Sequence, residues 1–302
     1  MDWIAEHRRR IARLDRSFRA ESFCAPRGSL VQLIEGVAIA LHSQEHAEDS
    51  WRAFWGARIT HEIEVWPGEN STVAEIGAAL THAVGEAVRR NRRMGTEVDA
   101  RDRTLTLTAM SRDDDVAEAA IALGFRPDAV WAWTPRTRLE ERLPTVRGVC
   151  VERTDDPSEI AETMGKVQRF DGRFMAGFRD RPTSEGYRFK YAMGELERGA
   201  WAGVIRVKGQ TVSLCTVSAG DILPNLAVGP AAHIGFIWTE PQWRGRGYAG
   251  EMLRTGLDTW GRDAEAVTVG YAVNNPLSAP MWLGLGFRPA VTVYSLSTIP
   301  AG

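Results

Sequence analysis

Cysteine is scarce in this chain, and the few cysteines are far apart. Cys24, Cys150 and Cys215 are the three cysteines among 302 residues. An odd number at such separations fits neither a disulfide framework nor a zinc-binding cluster. We therefore expect a reduced, cytoplasmic protein without a structural metal site.

Long hydrophobic runs are also missing. The most apolar stretch, residues 30–41, is interrupted by Gln32, Glu35 and Gly36, whereas a membrane-spanning helix needs about 18 or more apolar residues in succession. The N-terminal segment is charged and has neither the apolar core nor the cleavage site of a secretory leader. The sequence thus predicts neither a membrane span nor a signal peptide.

No charge of one sign dominates the composition. Lys and Arg number 37, Asp and Glu number 39, and the formal net charge is −2. Nucleic-acid-binding proteins normally carry a marked basic excess, so no nucleic-acid partner is expected. With 44% hydrophobic and 25% charged residues the composition is that of a folded soluble protein. Its length suits two domains of about 150 residues each.

One five-residue sequence occurs twice. Leu-Gly-Phe-Arg-Pro fills positions 123–127 and again positions 285–289, an offset of 162 residues. Each copy follows a short helix-like run and precedes an apolar segment typical of a strand, at residues 129–133 and 290–296. A period of this length indicates two related halves rather than a solenoid.

The boundary between the halves is predicted just after the first copy. Residues 134–147 contain two prolines and many charges, which is typical of an exposed connector. Residues 148–153 have the pattern of an opening strand. We therefore assign a first domain to residues 1–140 and a second domain to residues 148–302.

In the second half, a strand, a glycine-rich loop and a helix follow one another. A hairpin is predicted at Lys208-Gly209, a strand over residues 232–239, and a helix from residue 249, where apolar residues recur at helical spacing. The loop between strand and helix reads Gln242-Trp-Arg-Gly-Arg-Gly247. Backbone N–H groups at such a helix N-terminus can bind an anion.

The side chains of this loop suit a phosphate. Gly245 and Gly247 permit close approach of the main chain, and Arg244 and Arg246 carry positive charge. The loop lacks the Gly-Lys-Ser/Thr of nucleoside triphosphatases and the glycine spacing of dinucleotide-binding folds. A different phosphate-containing ligand is therefore indicated.

These motifs resemble those of the GNAT acyltransferase superfamily. The glycine pair, after a strand that ends in Thr-Glu-Pro, looks like the superfamily's acyl-CoA pyrophosphate loop. Its next motif is matched by Asn275-Pro276-Leu277-Ser278, Met281-Trp282 and Gly286-Phe287-Arg288-Pro289. The resemblance covers about residues 148–297 and extends faintly to about residues 20–135. It implies an α+β fold of two GNAT-like domains, each a mixed, mostly antiparallel sheet flanked by helices.

The resemblance also implies an activity and a site. It implies acetyl-CoA as co-substrate, no metal, and direct attack by the amine of a small molecule in a ternary complex. The residues that it places beside the cofactor are Ile237, Trp238, Thr239, Gln242, Arg244, Gly245, Arg246, Gly247, Tyr248, Ala249, Asn275 and Trp282.

Three residues are candidates for proton transfer. His233 stands where many family members carry a catalytic glutamate, so its imidazole is a candidate base, although a histidine packed within the sheet fits equally. Trp282 stands where the family has an acidic tyrosine, and an indole cannot protonate a thiolate. Ser278, Tyr271 or water would then be the acid. Ser278 is alternatively the N-cap of a helix with Pro280 in its first turn.

The first half departs from the family pattern. Its central strand, residues 59–66, leads into a loop at residues 68–73 that has neither the glycine pair nor an arginine. Glu69 in this loop would repel a pyrophosphate. The counterparts of Asn275 and Trp282 are Asp113 and Ala120. We expect the first half to keep the fold without the cofactor site, and to shape or cover the acceptor site.

Two other functions stay open. The missing tyrosine suits an S- or O-acyltransferase or a decarboxylating relative, and the loop alone suits a non-catalytic acyl-CoA-binding protein.

Glu240 is a second candidate base or a solvated charge. The Arg- and Ala-rich composition is typical of a high-GC bacterium, and no feature indicates an oligomeric state. The acidic residues that could attract a cationic amine, or simply form a solvated face, are Asp171, Asp180, Glu185, Glu195 and Glu197.

Overall fold

A computed structural model describes residues 2–23, 31–94, 97–146, 148–181, 184–220, 223 and 229–296. The strands are β1 (Gln32–Ile34), β2 (Val37–Glu45), β3 (Ile59–Trp66), β4 (Arg103–Met110), β5 (Arg126–Pro135), β6 (Glu152–Arg153), β7 (Trp201–Val207), β8 (Gln210–Ala219), β9 (Ala231–Thr239), β10 (Ala266–Ala272) and β11 (Arg288–Leu296). The α-helices are α1 (Trp3–Leu14), α2 (Trp51–Trp55), α3 (Val73–Asn91), α4 (Asp114–Ala122), α5 (Arg136–Arg142), α6 (Pro157–Asp171), α7 (Ser184–Glu197), α8 (Tyr248–Thr259) and α9 (Ser278–Gly284). Cys24, Arg147 and the last residues assigned to the second domain lie outside the described ranges; Cys150 and Cys215 are free thiols.

The strands form one continuous sheet in the order β1-β2-β3-β4-β11-β5-β10-β9-β8-β7-β6. Among the strands of the described residues, two neighbouring pairs are parallel, β3 with β4 and β9 with β10. The expected mixed, mostly antiparallel sheet with flanking helices is confirmed. The sheets of the two halves are joined edge to edge rather than separate.

Each half inserts its last strand into the other half. β11 lies between β4 and β5, and β5 lies between β10 and β11. β5 pairs with β10 from Ala129–Ala272 to Pro135–Ala266, while β11 pairs with β4 from Val291–Met110 to Leu296–Leu105. Because both exchanged strands are fully paired, the halves cannot separate without breaking two rows of backbone hydrogen bonds.

The repeated pentapeptide has the same structure in both copies. Gly124 and Gly286 adopt left-handed φ values of 88° and 90° after α4 and α9. In each copy the following phenylalanine is buried and donates its N–H to a carbonyl five residues earlier, Phe125 to Ala120 at 3.1 Å and Phe287 to Trp282 at 3.0 Å. This six-to-one hydrogen bond after a left-handed glycine is a Schellman cap, which turns each helix into the exchanged strand.

Local signals in the sequence identify most elements but not α5. At the β7–β8 hairpin, Lys208 and Gly209 both have positive φ, as a type I′ turn requires.

The expectation that residues 134–147 form an exposed connector is wrong. Leu139 and Leu143 of this segment are buried in the core with α8 residues such as Met252 and Leu253. Leu139 lies in α5, and Leu143 is the C-cap of this helix.

Helices cover both faces of the second half. α5, α8 and α9 pack on one face, and α6 and α7 pack on the other. Phe54 of α2, from the first half, is buried in that second core, and Gln168 of α6 donates a hydrogen bond to the Phe54 carbonyl. In the first half, α3 and α4 pack on the sheet around Ile76 and Leu107. None of the helices in the described ranges is both long and apolar enough to span a membrane.

Candidate active site

β9 and β10 diverge halfway along their length. They pair from Ala231–Ala266 only to Ile234–Val269, although β9 continues to Thr239. The pairing of β9 with β8 is also irregular here, because it shifts between Ile234 and Phe236 and leaves Gly235 as a bulge. In the first half, the equivalent strands β3 and β4 stay paired until two residues before the end of β3. The second half therefore has an opening in its sheet that the first half lacks.

Backbone groups of β9 face this opening. Glu240 donates its N–H to the Val212 carbonyl of β8 at 2.9 Å. The alternation of an antiparallel ladder then directs the N–H and C=O groups of Ile237 and Thr239 away from β8, toward the opening. The structure thus places the predicted segment Ile237, Trp238 and Thr239 along the opening, where an extended ligand could pair with it.

The loop after β9 forms an anion cradle. Gly245 and Gly247 have left-handed φ values of 74° and 79°. Gly247 is the N-cap of α8 and has no side chain to cap it, and among the described residues no side chain accepts the first N–H groups of this helix, at Tyr248 and Ala249. A Cβ on Gly245 would point into open space, whereas one on Gly247 would lie 2.4 Å from Val146 Cγ2. Both glycines and the uncapped helix suit a pyrophosphate.

The two arginines of the loop stack on aromatic rings. The guanidinium carbon of Arg244 lies 4.8 Å from the centre of the Trp238 ring and 5.4 Å from that of Phe170. Its Nε donates to the Thr239 carbonyl at 3.0 Å. Arg246 lies 4.5 Å above Trp243, which itself stacks on Tyr248. Stacking fixes both positive charges beside the cradle, and Gln242 is exposed next to them.

Asn275 caps α9, which corrects the expectation for Ser278. Asn275 Oδ1 accepts hydrogen bonds from the N–H groups of Leu277 at 2.9 Å and Ser278 at 3.2 Å. Ser278 is therefore the first helical residue rather than the N-cap, and Pro280 lies in the first turn as expected. The hydroxyl of Ser278 is buried and has no hydrogen-bond partner among the described residues.

The structure places the other predicted proton-transfer residues, His233 and Tyr271, on the strands β9 and β10. His233 is in the paired part of β9, with Nδ1 3.2 Å from Thr268 Oγ1, and burial lowers its pKa to about 4. Tyr271 and Trp282 are almost fully buried in the core under α8 and α9. Burial raises the pKa of Tyr271, and Trp282 packs against Phe287 with 5.1 Å between ring centroids. Their catalytic and cofactor roles stay predictions.

Asp171 is a site residue that the sequence did not single out. It is the last residue of α6, and its Oδ1 accepts a hydrogen bond from Asn275 Nδ2 at 2.5 Å. Burial raises its pKa to about 6. In the sequence it is one of several acidic residues in a charged stretch, and the sequence does not show which of them is buried. Glu240, by contrast, is paired with Lys166 at 2.9 Å.

In the first half, α1 lies against the equivalent loop. Arg10 donates from Nη1 to the carbonyls of Gly68 and Ser71, at 3.2 and 3.4 Å, and from Nη2 to Asp113 Oδ1 at 2.6 Å. His7 Nδ1 donates to the Pro67 carbonyl at 2.9 Å. This loop therefore presents hydrogen-bond acceptors to a cation, where a phosphate would require donors. No cluster of three or more potential metal ligands occurs in the part of the chain that the structure describes.

Solved structures share the fold of this chain. No protein-family model and no curated protein matches the chain. A GCN5-related N-acetyltransferase from Sphaerobacter thermophilus is similar over 88% of this chain and 78% of its own, with 13% identity and a TM-score of 0.58. A tandem GNAT protein from the clavulanic acid biosynthesis pathway is similar over 100% of this chain and 96% of its own, with 16% identity and a TM-score of 0.52. The chain has the GNAT fold, in a tandem arrangement.

Proposed function

We propose that this chain, with its tandem GNAT fold, is an acyl-CoA-dependent N-acyltransferase. It transfers the acetyl group of acetyl-CoA to the amine of a small molecule, by direct attack in a ternary complex. The observation that supports this most is the junction of two features, the opening between β9 and β10 and the uncapped N-terminus of α8. The first can hold an extended arm, and the second can hold a pyrophosphate joined to it.

The residues of the second half suit each part of such a ligand. The N–H groups of the Gly245–Ala249 segment bind the pyrophosphate oxygens, with Arg244 and Arg246 adding positive charge. The N–H and C=O groups of Ile237 and the N–H of Thr239, which point away from β8, hold the amide-containing arm as a further strand would. Acetyl-CoA supplies an activated thioester, and the remaining work of the protein is to orient it and to remove a proton from the amine.

The acceptor would enter from the face covered by α6 and α7. The loop after α6 is fixed to the first half on this face, because Ala176 donates its N–H to Asp128 Oδ1 at 2.8 Å and Arg181 binds Asp102 and the carbonyl of Ala53. Both halves thus enclose the acceptor side. An enclosed approach favours a small amine over a side chain on a folded protein.

An acyl-transfer assay tests the proposal. Purified chain is incubated with acetyl-CoA and a panel of amines, thiols and alcohols, with thiol release as the rate and mass spectrometry to identify the product. We expect release that depends on an amine and yields its N-acetyl derivative. Turnover only with thiols or alcohols would contradict N-acyl transfer and indicate S- or O-acyl transfer instead. Binding of CoA without turnover on any acceptor would indicate a non-catalytic binding protein.

A further inference from the structure

The C-terminal end of α6 bridges the opening in the sheet. Two consecutive residues contact its opposite sides. The Phe170 ring lies 5.9 Å from the ring of Trp238, on the β9 side, and Asp171 binds Asn275, which follows β10 by three residues. The Asp171 carboxylate therefore lies across the opening, on the face opposite α8 and its anion cradle.

Asn275 fixes the orientation of this carboxylate. Its Oδ1 accepts two N–H groups at the start of α9, so its Nδ2 can point only toward Asp171. Asp171 Oδ1 is thereby occupied. Within the described residues no group donates a hydrogen bond to Asp171 Oδ2, which leaves this oxygen able to accept a proton.

The charges around Asp171 are few. Arg173 and Arg244 lie over the Phe170 ring at 5.7 and 5.4 Å. Asp128 of β5, whose backbone carbonyl accepts the N–H of Val273 just after β10, is bound by the Ala176 N–H and by Ser295 Oγ. Lys166, earlier in α6, is paired with Glu162 and Glu240. No cation is bonded to Asp171 in the described structure, so burial decides its behaviour and raises its pKa to about 6.

We propose that Asp171 is the base that removes the proton from the acceptor amine, and that Asn275 positions it; this rests on the proposed function. The ammonium group of the acceptor gives one proton to Asp171 Oδ2 and becomes a neutral amine. The lone pair of that nitrogen forms the C–N bond with the thioester carbonyl carbon, and the C–S bond breaks. The sulfur leaves with the bonding electrons and takes up the second N–H proton of the amine through solvent. Asp171 then gives its proton to solvent, so one proton is released overall.

His233 is less suited to this role. It lies in the paired part of β9 with Nδ1 engaged by Thr268. With a pKa of about 4, its neutral imidazole holds a proton poorly, whereas a carboxylate with a pKa of about 6 is ionised at pH 7 and holds a proton more firmly.

Two variants test the assignment. For D171N we expect kcat/KM to fall about 10²- to 10⁴-fold, with unchanged affinity for CoA by calorimetry. The exposed carboxyl of Asp263, in the turn before β10, provides the control, and D263N should keep the wild-type rate. In N275D the new carboxylate can still cap α9, as Asp113 caps α4 in the first half. It no longer donates a hydrogen bond to Asp171, and its negative charge raises the pKa of that residue. The acidic limb of the kcat/KM profile, near pH 6 in the wild type, should move at least one unit toward alkaline pH.

The outcomes separate this inference from the proposed function. A wild-type chain that binds acetyl-CoA but acetylates no amine would overturn both. An active wild type, together with a D171N variant that keeps its rate and its acidic limb, would overturn only the role of Asp171. A limb that does not move in N275D would show that Asp171 is structural.

Discussion

Asn275 and Asp113 lie 162 positions apart and cap equivalent helices, α9 and α4, with their side-chain oxygens. Their other contacts differ. Asp113 binds Arg10 of α1, within a buried ion pair, whereas Asn275 donates to Asp171 of α6 at the opening between β9 and β10. The same position of the repeat thus holds α1 in place in the first half and orients the Asp171 carboxylate in the second half.

The Arg10–Asp113 pair should contribute strongly to stability. Both side chains are buried, at 1% and 5% exposure, and removal of one partner leaves an unpaired buried charge. We expect R10M to lower the free energy of unfolding by about 3–5 kcal/mol, measured by urea denaturation at pH 7. Arg9, which is half exposed and pairs with Glu6 and Glu69, is the control, and R9M should cost less than about 1 kcal/mol. Equal losses would contradict docking of α1 through Arg10.

Stability should fall as the pH decreases from about 6.5 to 4. Burial lowers the pKa of His7 from 6.5 to about 4, so the unfolded chain binds a proton more readily than the folded chain in this window. Between pH 7 and pH 5, this one residue should cost about 2 kcal/mol of unfolding free energy. In H7N, whose amide can still donate to the Pro67 carbonyl, the loss between these two pH values should be smaller by that amount. An unchanged loss would contradict the burial of a neutral His7.

Both left-handed glycines of the repeat should resist substitution. Gly124 and Gly286 have φ values near 90°, where an L-residue is strained by about 1–2 kcal/mol. We expect G124A and G286A each to lose this amount, measured as the free energy of unfolding. Gly77, in the interior of α3 with open space at its Cβ position, is the control, and G77A should gain about 0.5–1 kcal/mol. Tolerance of alanine at either repeat position would contradict the shared Schellman cap.

The pH profile of acyl transfer should distinguish Asp171 from His233 as the base. A group with a pKa of about 4 titrates below the range in which the acidic limb should lie. H233A should therefore keep the limb near pH 6, measured as kcat/KM between pH 5 and 9. If H233A abolishes the limb and D171N does not, the histidine is the base.

Local sequence signals predict much of the second half. A glycine pair, two arginines and the periodic residues after Ala249 identify β9, the loop and α8, because each depends on neighbours within a few residues. The repeated pentapeptide correctly indicates two halves with matching corners. Even the loss of the cradle in the first half follows from the absence of the glycine pair and of any arginine at residues 68–73.

What the sequence does not predict depends on distant contacts. The exchange of β5 and β11 requires pairing of strands about 140 or more residues apart, as in Val130–Tyr271, and no local pattern specifies it. The sequence does not reveal α5, because its two leucines are surrounded by arginine, glutamate and proline, which are typical of an exposed connector. The sequence does not distinguish Asp171 from the other acidic candidates, because its burial and its contact with Asn275, 104 residues away, depend on the fold.

Calorimetric titration with CoA tests the central claim, that the second half alone forms the acyl-CoA site. We predict one molecule bound per wild-type chain and loss of binding in G245E. The control is G36E, because Gly36 is also an exposed left-handed glycine, with φ 80° and open space at its Cβ position, but lies in the β1–β2 turn; it should bind as the wild type does. Two molecules per chain, or full affinity in G245E, would contradict the account.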